Sequence, residues 1–121
     1  MKIYIDEKIP HSEHFFHSFN LETEKFSDSS FEIEKLDEPC VVVVRSTYKT
    51  HKRNVPECVK YLCSVSTGED HIDKQSLERK NIKYGFSTGA NDIAVQEYFY
   101  YCLSKLNLEN KYDTSNDKIL I

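Results

Sequence analysis

Two short stretches of polar residues carry the side chains best suited to binding an anion. They are Arg45, Ser46 and Thr47 after the run CVVVV, and Ser66, Thr67 and Gly68 after the run YLCSV. Arginine offers a planar fork of donors for phosphate or carboxylate, hydroxyls donate hydrogen bonds, and glycine lets backbone N–H groups approach an anion closely. Both stretches follow predicted strands, whose carboxyl ends form the ligand-binding edge of an open parallel sheet, so they predict a small anion site. The alternative is that Arg45 pairs with a nearby acid and the hydroxyls cap turns.

The neighbours Asp70 and His71, in the stretch SVSTGEDHID, invite a catalytic or metal-binding interpretation. A Ser-His-Asp triad needs a strained turn, or an equivalent arrangement, that presents the nucleophile, and the sequence shows none. Adjacent residues also point their side chains in different directions on most backbones. Asp73 is better placed to cap a helix over residues 74–80. We therefore interpret Asp70 and His71 as residues that shape the loop, and we predict no catalytic residue in this chain.

Neither a metal site nor a cofactor site is predicted. His11, His14 and His17 recur every third residue, but no cluster of further ligands accompanies them, so we expect them on a solvated face. No CxxC motif occurs, and the cysteines are interpreted as reduced, mostly buried thiols. These are Cys40, Cys58, Cys63 and Cys102. The sequence contains neither GxGxxG nor GxxxxGK[ST], so it carries no dinucleotide or P-loop fingerprint.

Hydrophobic runs and turn signals predict an alternation of strands and helices. The β-branched run CVVVV at residues 40–44 is typical of a strand buried on both faces of a parallel sheet, and parallel strands need crossovers, usually helices. Further strands are predicted at residues 2–5, 22–27, 61–66 and 82–86, and helices at residues 12–19, 56–60, 74–80 and 92–106. This order predicts the α/β class, with a flavodoxin-like parallel sheet flanked by helices and a long C-terminal helix.

Composition excludes several classes of function. The chain has 121 residues, of which 39% are apolar and 30% charged, and its net charge is −4. This length suits one domain with a single hydrophobic core. The negative charge argues against non-specific nucleic-acid binding, and no apolar run approaches the roughly 20 residues of a membrane span. Asp6 and Glu7 come too early for a secretory signal. We expect a cytoplasmic protein that binds neither nucleic acid nor membrane.

Four motifs occur in an order and at a spacing that resemble one known family. They are KIYIDEKIP at the start, VVVVRSTYK, STGEDHID, and TGANDIAVQEY, which opens the long helix. Together they resemble the N-terminal part of the 4-phosphoerythronate (erythronate-4-phosphate) dehydrogenases. These are NAD-dependent enzymes of pyridoxal phosphate (vitamin B6) biosynthesis and belong to the D-isomer-specific 2-hydroxyacid dehydrogenases. The resemblance covers nearly the whole chain.

The resemblance implies that the chain corresponds to part of a substrate domain. Family members have a substrate domain and an NAD domain, both of the α/β class. Residues 1–90 match a flavodoxin-like segment of the substrate domain. Residues 91–108 match a long helix that crosses between domains and packs against a second subunit. Residues 109–121 match a tail leading into the first strand of an NAD domain that is missing here.

The resemblance also implies a substrate site and a reaction. Ser46 matches the family serine that binds substrate, and Ser66 stands where the family commonly has threonine. Together with Arg45, Thr67 and Gly68 they are the expected contacts for a phosphorylated 2-hydroxy acid, which the intact enzymes oxidise with NAD. The catalytic Arg, Glu and His of the family lie in or beyond the NAD domain, so His71 is not the acid–base histidine. We expect the chain alone to bind no cofactor and to be inactive.

Three explanations of the short chain stay open. It is a truncated dehydrogenase, one subunit of a split enzyme whose separate partner chain supplies the NAD domain, or a non-catalytic module that binds phosphorylated acids. The long helix predicts a homodimer, because its apolar residues cover more than one face and, with the NAD domain absent, would otherwise be exposed. These residues are Ile93, Ala94, Val95, Tyr98, Phe99, Cys102, Leu103 and Leu106.

Overall fold

A computed structural model describes residues 1–17 and 21–108, without the side chains of residues 103 and 106–108. The chain divides between Thr88 and Gly89 into two units. The first unit contains the sheet and the candidate site, and the second contains the long helix. The tail predicted at residues 109–121 lies outside the described residues, as do the side chains of Leu103 and Leu106.

The described residues form one sheet whose five strands are all parallel. The strands are β1 (Lys2–Asp6), β2 (Thr23–Phe26), β3 (Cys40–Val44), β4 (Val59–Ser64) and β5 (Lys83–Phe86). Their spatial order is β2-β1-β3-β4-β5, which is the order of flavodoxin-like doubly wound sheets. The predicted α/β class is confirmed.

The central strand β3 is buried as the run CVVVV predicts. Four of its five residues are buried and Val41 is half-buried. Side chains alternate between the two faces of a strand, so Val42 and Val44 contribute to the larger core and Val43 to a smaller core on the opposite face. The larger core also contains Phe26, Ile33, Cys40, Tyr48, Val55, Val59, Leu62, Ile72, Leu77 and Ile82. Packing against both faces of β3 therefore stabilises the sheet.

The described helices are short except for the last. They are α1 (Ser12–His17), α2 (Lys74–Arg79) and α3 (Asp92–Leu108), with 3-10 turns at Ile33–Lys35 and Thr50–Lys52. The predicted cap of α2 is confirmed, since Oδ1 of Asp73 accepts a hydrogen bond from the backbone N–H of Ser76 at 3.1 Å. This bond satisfies one of the N–H groups that a helix leaves free at its start.

The helix predicted over residues 56–60 does not form, and that prediction was wrong. The backbone N–H of Val59 donates to the carbonyl of Pro56 at 3.1 Å, and this turn leads directly into β4. Val59 is fully buried and pairs with Cys40 of β3. Tertiary burial overrides a weak local signal for a helix, because one proline at a suitable position contributes little by itself.

The thiols in the sheet are not set up for reactivity. All four cysteines are free, with Cys40 buried and the others half-buried. Burial raises the pKa of the Cys40 thiol to about 11 and raises that of Cys63 as well, so both stay protonated at neutral pH.

No helix among the described residues is long and apolar enough to cross a membrane. The cytoplasmic location stays a prediction from the sequence.

Candidate functional site

The candidate site lies where the strand order of the sheet reverses. β1 and β3 are neighbours at this switch point, and β4 lies beside β3. The connections leaving β1 and β3 run to opposite sides of such a switch point, which opens a crevice outside the carboxyl ends of the strands. Asp6 ends β1, and Arg45 follows directly on the last residue of β3. The sequence thus places a cation and an anion side by side at the carboxyl ends of the two strands that flank the switch point.

Arg45 is held by a buried carboxylate. Its Nε donates to Oδ2 of Asp6 at 2.9 Å, and the side chain of Asp6 is 1% exposed while that of Arg45 is 27% exposed. The other carboxylate oxygen of Asp6 accepts from the backbone N–H of Lys8 at 2.9 Å. The pairing of Arg45 with an acid, which the sequence left open as the alternative, is therefore present.

This pairing does not use up the guanidinium. Only Nε of Arg45 contacts Asp6, and Nη1 and Nη2 have no hydrogen-bond partner within the described part of the chain. Arginine can present two parallel N–H donors to a carboxylate or phosphate. Asp6 therefore fixes the direction of Arg45 and leaves its terminal nitrogens for an anion.

The loop after β3 exposes two hydroxyls. Ser46 and Thr47 lie in an exposed turn, which closes with the backbone N–H of Tyr48 donating to the carbonyl of Arg45 at 3.1 Å. Tyr48 is 1% exposed and packs in the larger core. Burial raises its pKa to about 12, so Tyr48 anchors the turn as a neutral phenol.

The loop after β4 lies beside the loop after β3 in register. Val44 pairs with Ser64, and the backbone N–H of Val65 donates to the carbonyl of Val44 at 3.0 Å. Ser46 and Ser66 each come two residues after this paired position. The pairing therefore brings the two predicted hydroxyl-bearing loops to the same edge of the sheet.

The remaining predicted contacts follow Ser66. Thr67 and Gly68 are both exposed, and Ser66 is half-buried. A Cβ added at Gly68 would lie 3.4 Å from Oδ1 of Asp70 and near no other group. The backbone at Gly68 is thus open to an approaching ligand.

The buried imidazole of His71 lies beneath this loop. His71 is 0% exposed. Its Nε2 lies 2.7 Å from Oγ of Ser64 and 3.4 Å from Oγ of Ser66, and the two hydroxyl oxygens lie 2.8 Å apart. Burial lowers the pKa of His71 below its usual value, with a smaller opposing effect from Asp70. The imidazole is therefore neutral at pH 7.

Asp70 does not complete a triad with His71. Its Oδ1 is 3.9 Å from Nδ1 of His71, and its side chain is 87% exposed. That distance is too long for a hydrogen bond. Ser64 is itself 4% exposed, so its hydroxyl cannot reach an external acyl group. The geometry agrees with the interpretation of this stretch as loop-shaping.

Contacts that sequence reasoning missed join the two loops. The backbone N–H and Oγ1 of Thr50 both donate to the carbonyl of His71, at 2.9 and 3.3 Å. Oγ1 of Thr50 accepts from the backbone N–H of Asp73 at 2.7 Å. His51 Nε2 lies 2.9 Å from the carbonyl of Asp70. No local sequence pattern predicts such contacts. Ser64 could have been identified from the sequence, because residues two apart in a predicted strand lie on the same face and Ser64 is two residues before Ser66.

The arrangement can bind an anion. A guanidinium of fixed direction, four hydroxyls and an open backbone lie at one edge of the sheet, and Lys49 adds positive charge near His71. Among residues 1–17 and 21–108, no three His, Cys, Asp or Glu side chains are grouped so as to hold a metal ion.

Comparison with known proteins confirms the resemblance seen in the motifs. No family model matches the chain. Erythronate-4-phosphate dehydrogenase of Pseudoalteromonas translucida is 31% identical over 98% of this chain and 32% of that protein. The enzyme of the same name from Psychromonas ingrahamii is 31% identical over 100% of this chain and 32% of its own length. That of a Marinomonas species is 32% identical over 98% and 31%. The chain spans about a third of the length of these curated relatives and matches their N-terminal part.

Proposed function

We propose that these residues form the substrate-binding segment of a dehydrogenase that acts on erythronate-4-phosphate, a phosphorylated 2-hydroxy acid. Arg45 would bind an acidic group of this ligand through its terminal nitrogens. Ser46 and Ser66 would donate hydrogen bonds to the same ligand, and the backbone around Thr67 and Gly68 would approach it closely. The similarity to enzymes named for this substrate supports the choice of ligand.

One observation carries the proposal. The ion pair between Arg45 and the buried Asp6 lies at the switch point of the sheet, where open α/β sheets bind ligands. An arginine that served only to stabilise the fold would not need terminal nitrogens without a partner. Arg45 is fixed through Nε alone, and its Nη1 and Nη2 stay available for a ligand. The hydroxyl-bearing loop after β4 lies in register beside it.

The residues of this chain do not provide a binding site for NAD. In the proposed reaction NAD supplies the hydride acceptor for the 2-hydroxyl carbon. The 121 residues contain no glycine-rich dinucleotide fingerprint. We therefore place the NAD site and the acid–base groups outside these residues, in a further stretch of the same polypeptide or in a separate chain. The role of this segment is to bind and orient the substrate.

The first prediction tests the site directly. The 121-residue chain is expected to bind erythronate-4-phosphate in titration calorimetry and to produce no NADH when NAD is added. Replacing both Ser46→Ala and Ser66→Ala should raise Kd about a hundredfold, because each hydrogen bond to a charged group contributes about 1.5 kcal/mol or more.

The matched control is the double variant Ser29→Ala and Ser30→Ala, in an exposed turn on the chain before β3. It should bind like the parent. An unchanged Kd in the Ser46/Ser66 variant, or no binding by the parent, contradicts the proposed function. NADH production by the 121-residue chain would contradict the placing of the NAD site elsewhere.

A second prediction concerns self-association. Large apolar side chains of α3 are 61% to 72% exposed: Ile93, Val95, Tyr98, Tyr100 and Tyr101. Exposed apolar patches of this kind mark interfaces, so we propose that a second copy of the chain covers α3. Sedimentation at tens of micromolar should give a dimer, and Val95→Glu with Tyr98→Glu should give a monomer. The control Gln96→Glu should leave the dimer intact. A parent chain that sediments strictly as a monomer rules out this interface.

A further inference from the structure

We propose that His71 is a positioning residue that acts through Ser64 to aim the hydroxyl proton of Ser66 at the bound anion. The identity of the anion rests on the proposed function. The direction of the hydrogen bonds is a property of the free protein and is tested separately.

The three side chains form a continuous chain of short contacts. Nε2 of His71 lies 2.7 Å from Oγ of Ser64, which lies 2.8 Å from Oγ of Ser66. The buried members are His71 and Ser64, at 0% and 4% exposure, while Ser66 is half-buried. These hydrogen bonds therefore run from a dry interior to a half-buried hydroxyl in the loop after β4.

Counting protons determines which atom donates in each of these hydrogen bonds. Oγ of Ser66 lies 3.3 Å from the carbonyl oxygen of Gly68, and a carbonyl can only accept, so the single proton of Ser66 points there. Ser66 must then accept at its contact with Ser64, which uses the only proton of Ser64. The remaining contact of Ser64 must be donated by Nε2–H of His71.

The other nitrogen of His71 agrees with this direction. A neutral imidazole carries one proton, so a donor at Nε2 leaves Nδ1 as a bare lone pair. Nδ1 is buried and has no hydrogen-bond partner in the described part of the chain. A buried N–H without a partner is rarer in proteins than an acceptor that is left unsatisfied. Oδ1 of Asp70, at 3.9 Å, is too far from Nδ1 to accept a hydrogen bond from it. The orphaned nitrogen is therefore better explained as an acceptor than as a donor.

The surroundings hold the imidazole in place. The carbonyl of His71 accepts two hydrogen bonds from Thr50, at 2.9 and 3.3 Å. The imidazole lies nearly perpendicular to the aromatic ring of Phe86 in β5, with 6.3 Å between centroids. Because both its backbone and its ring are held, the imidazole is a rigid first member of the hydrogen-bonded series His71, Ser64 and Ser66.

This direction determines what Ser66 can offer. The contact from Ser66 to Gly68 is long at 3.3 Å, so an anionic oxygen can replace the carbonyl as a better acceptor. In the opposite direction the proton of Ser66 would be spent on Ser64 and only lone pairs would face the anion. The tautomer of a buried histidine thus decides whether Ser66 attracts or repels a phosphorylated acid.

Nitrogen NMR of the free chain tests the direction. Long-range proton–nitrogen correlations distinguish the two imidazole tautomers, and the signal of His71 among five histidines is assigned by its loss in His71→Gln. We expect the Nε2–H tautomer in the free protein at pH 7. The Nδ1–H tautomer would overturn the proposal, whether or not any ligand binds.

Binding of erythronate-4-phosphate by paired variants tests the consequence. His71→Gln keeps a donor near the position of Nε2, whereas the shorter His71→Asn does not reach Ser64. We expect Asn to raise Kd about tenfold, the effect of one charge-assisted hydrogen bond, and Gln to restore most of the affinity. Ser64→Ala should match His71→Asn. Circular dichroism confirms that each variant is folded.

A double variant separates positioning from general damage. If His71 acts only through Ser66, adding His71→Asn to Ser66→Ala should weaken binding no further. Additive losses, or full affinity in His71→Asn, would overturn the role of His71 while leaving the proposed function intact. If the parent does not bind the ligand, the proposed function fails and the NMR result alone decides the direction of the chain.

Discussion

Replacing Arg45 by methionine is expected to lower the free energy of unfolding by about 3 kcal/mol and to abolish binding of erythronate-4-phosphate. Removing one partner of a buried ion pair strands the other charge in a medium where it cannot be hydrated. Here the stranded group is Asp6, whose side chain is 1% exposed. Urea unfolding measures the first effect and titration calorimetry the second.

Two controls make this result specific. Lys35→Met breaks an exposed pair with Glu32 and should change the free energy of unfolding by less than about 1 kcal/mol. Adding Asp6→Asn to Arg45→Met removes the stranded charge and should recover part of the stability without recovering binding. A variant at Arg45 that is as stable as the parent would contradict the structural role of the pair, and one that binds normally would contradict the site.

Leu62→Ala is expected to lower the free energy of unfolding by about 4 kcal/mol. Leu62 is 0% exposed in β4, between β3 and β5, and it packs in the larger core. Truncating a buried leucine loses its transfer free energy and leaves a cavity, at a cost of about 2 to 5 kcal/mol. Small domains have about 5 to 15 kcal/mol in total, so the variant should be partly unfolded at physiological temperature.

The matched control for Leu62 is the same substitution at an exposed leucine. Leu21, which precedes β2, is 43% exposed, and Leu21→Ala should change stability by no more than about 0.5 kcal/mol. Thermal and urea unfolding of both variants give the comparison. Equal effects at the two positions would mean that the larger core does not carry the stability of the sheet.

The sequence predicted the parts of the fold that local patterns determine. The run at Cys40–Val44 predicted a buried parallel strand, and Asp73 predicted the start of α2, because burial on both faces and capping each leave a direct trace in residue type. The wrong prediction of a helix at residues 56–60 was based on a single proline. There the gain from burying Val59 in the sheet decided the outcome, and a local pattern cannot report that gain.

The same distinction applies to the candidate site. Arg45, Ser46 and Ser66 were predicted because each follows a strand, and the parallel register brings their loops to one edge. The sequence left open an acidic partner for Arg45, but it identified neither Asp6 as that partner nor the contacts of His71 with Ser64 and Ser66. Asp6 is 39 residues from Arg45 and His71 is seven residues from Ser64, and only the folded chain brings these residues into contact.

All strand pairs described in the sheet are parallel, and parallel neighbours cannot be joined by a tight hairpin. Arg45 and Asp6 are 39 residues apart in the sequence, and contacts between distant parts of a chain form slowly. Their ion pair therefore exists only after β1 and β3 have paired. A ligand that requires this pair has no binding site on the unfolded chain. Saturation at a hundred times Kd would then stabilise the fold by about 2.7 kcal/mol. A rise in melting temperature therefore reports occupancy of the crevice even where no reaction takes place, which makes thermal shift a screen for further acids that fit it.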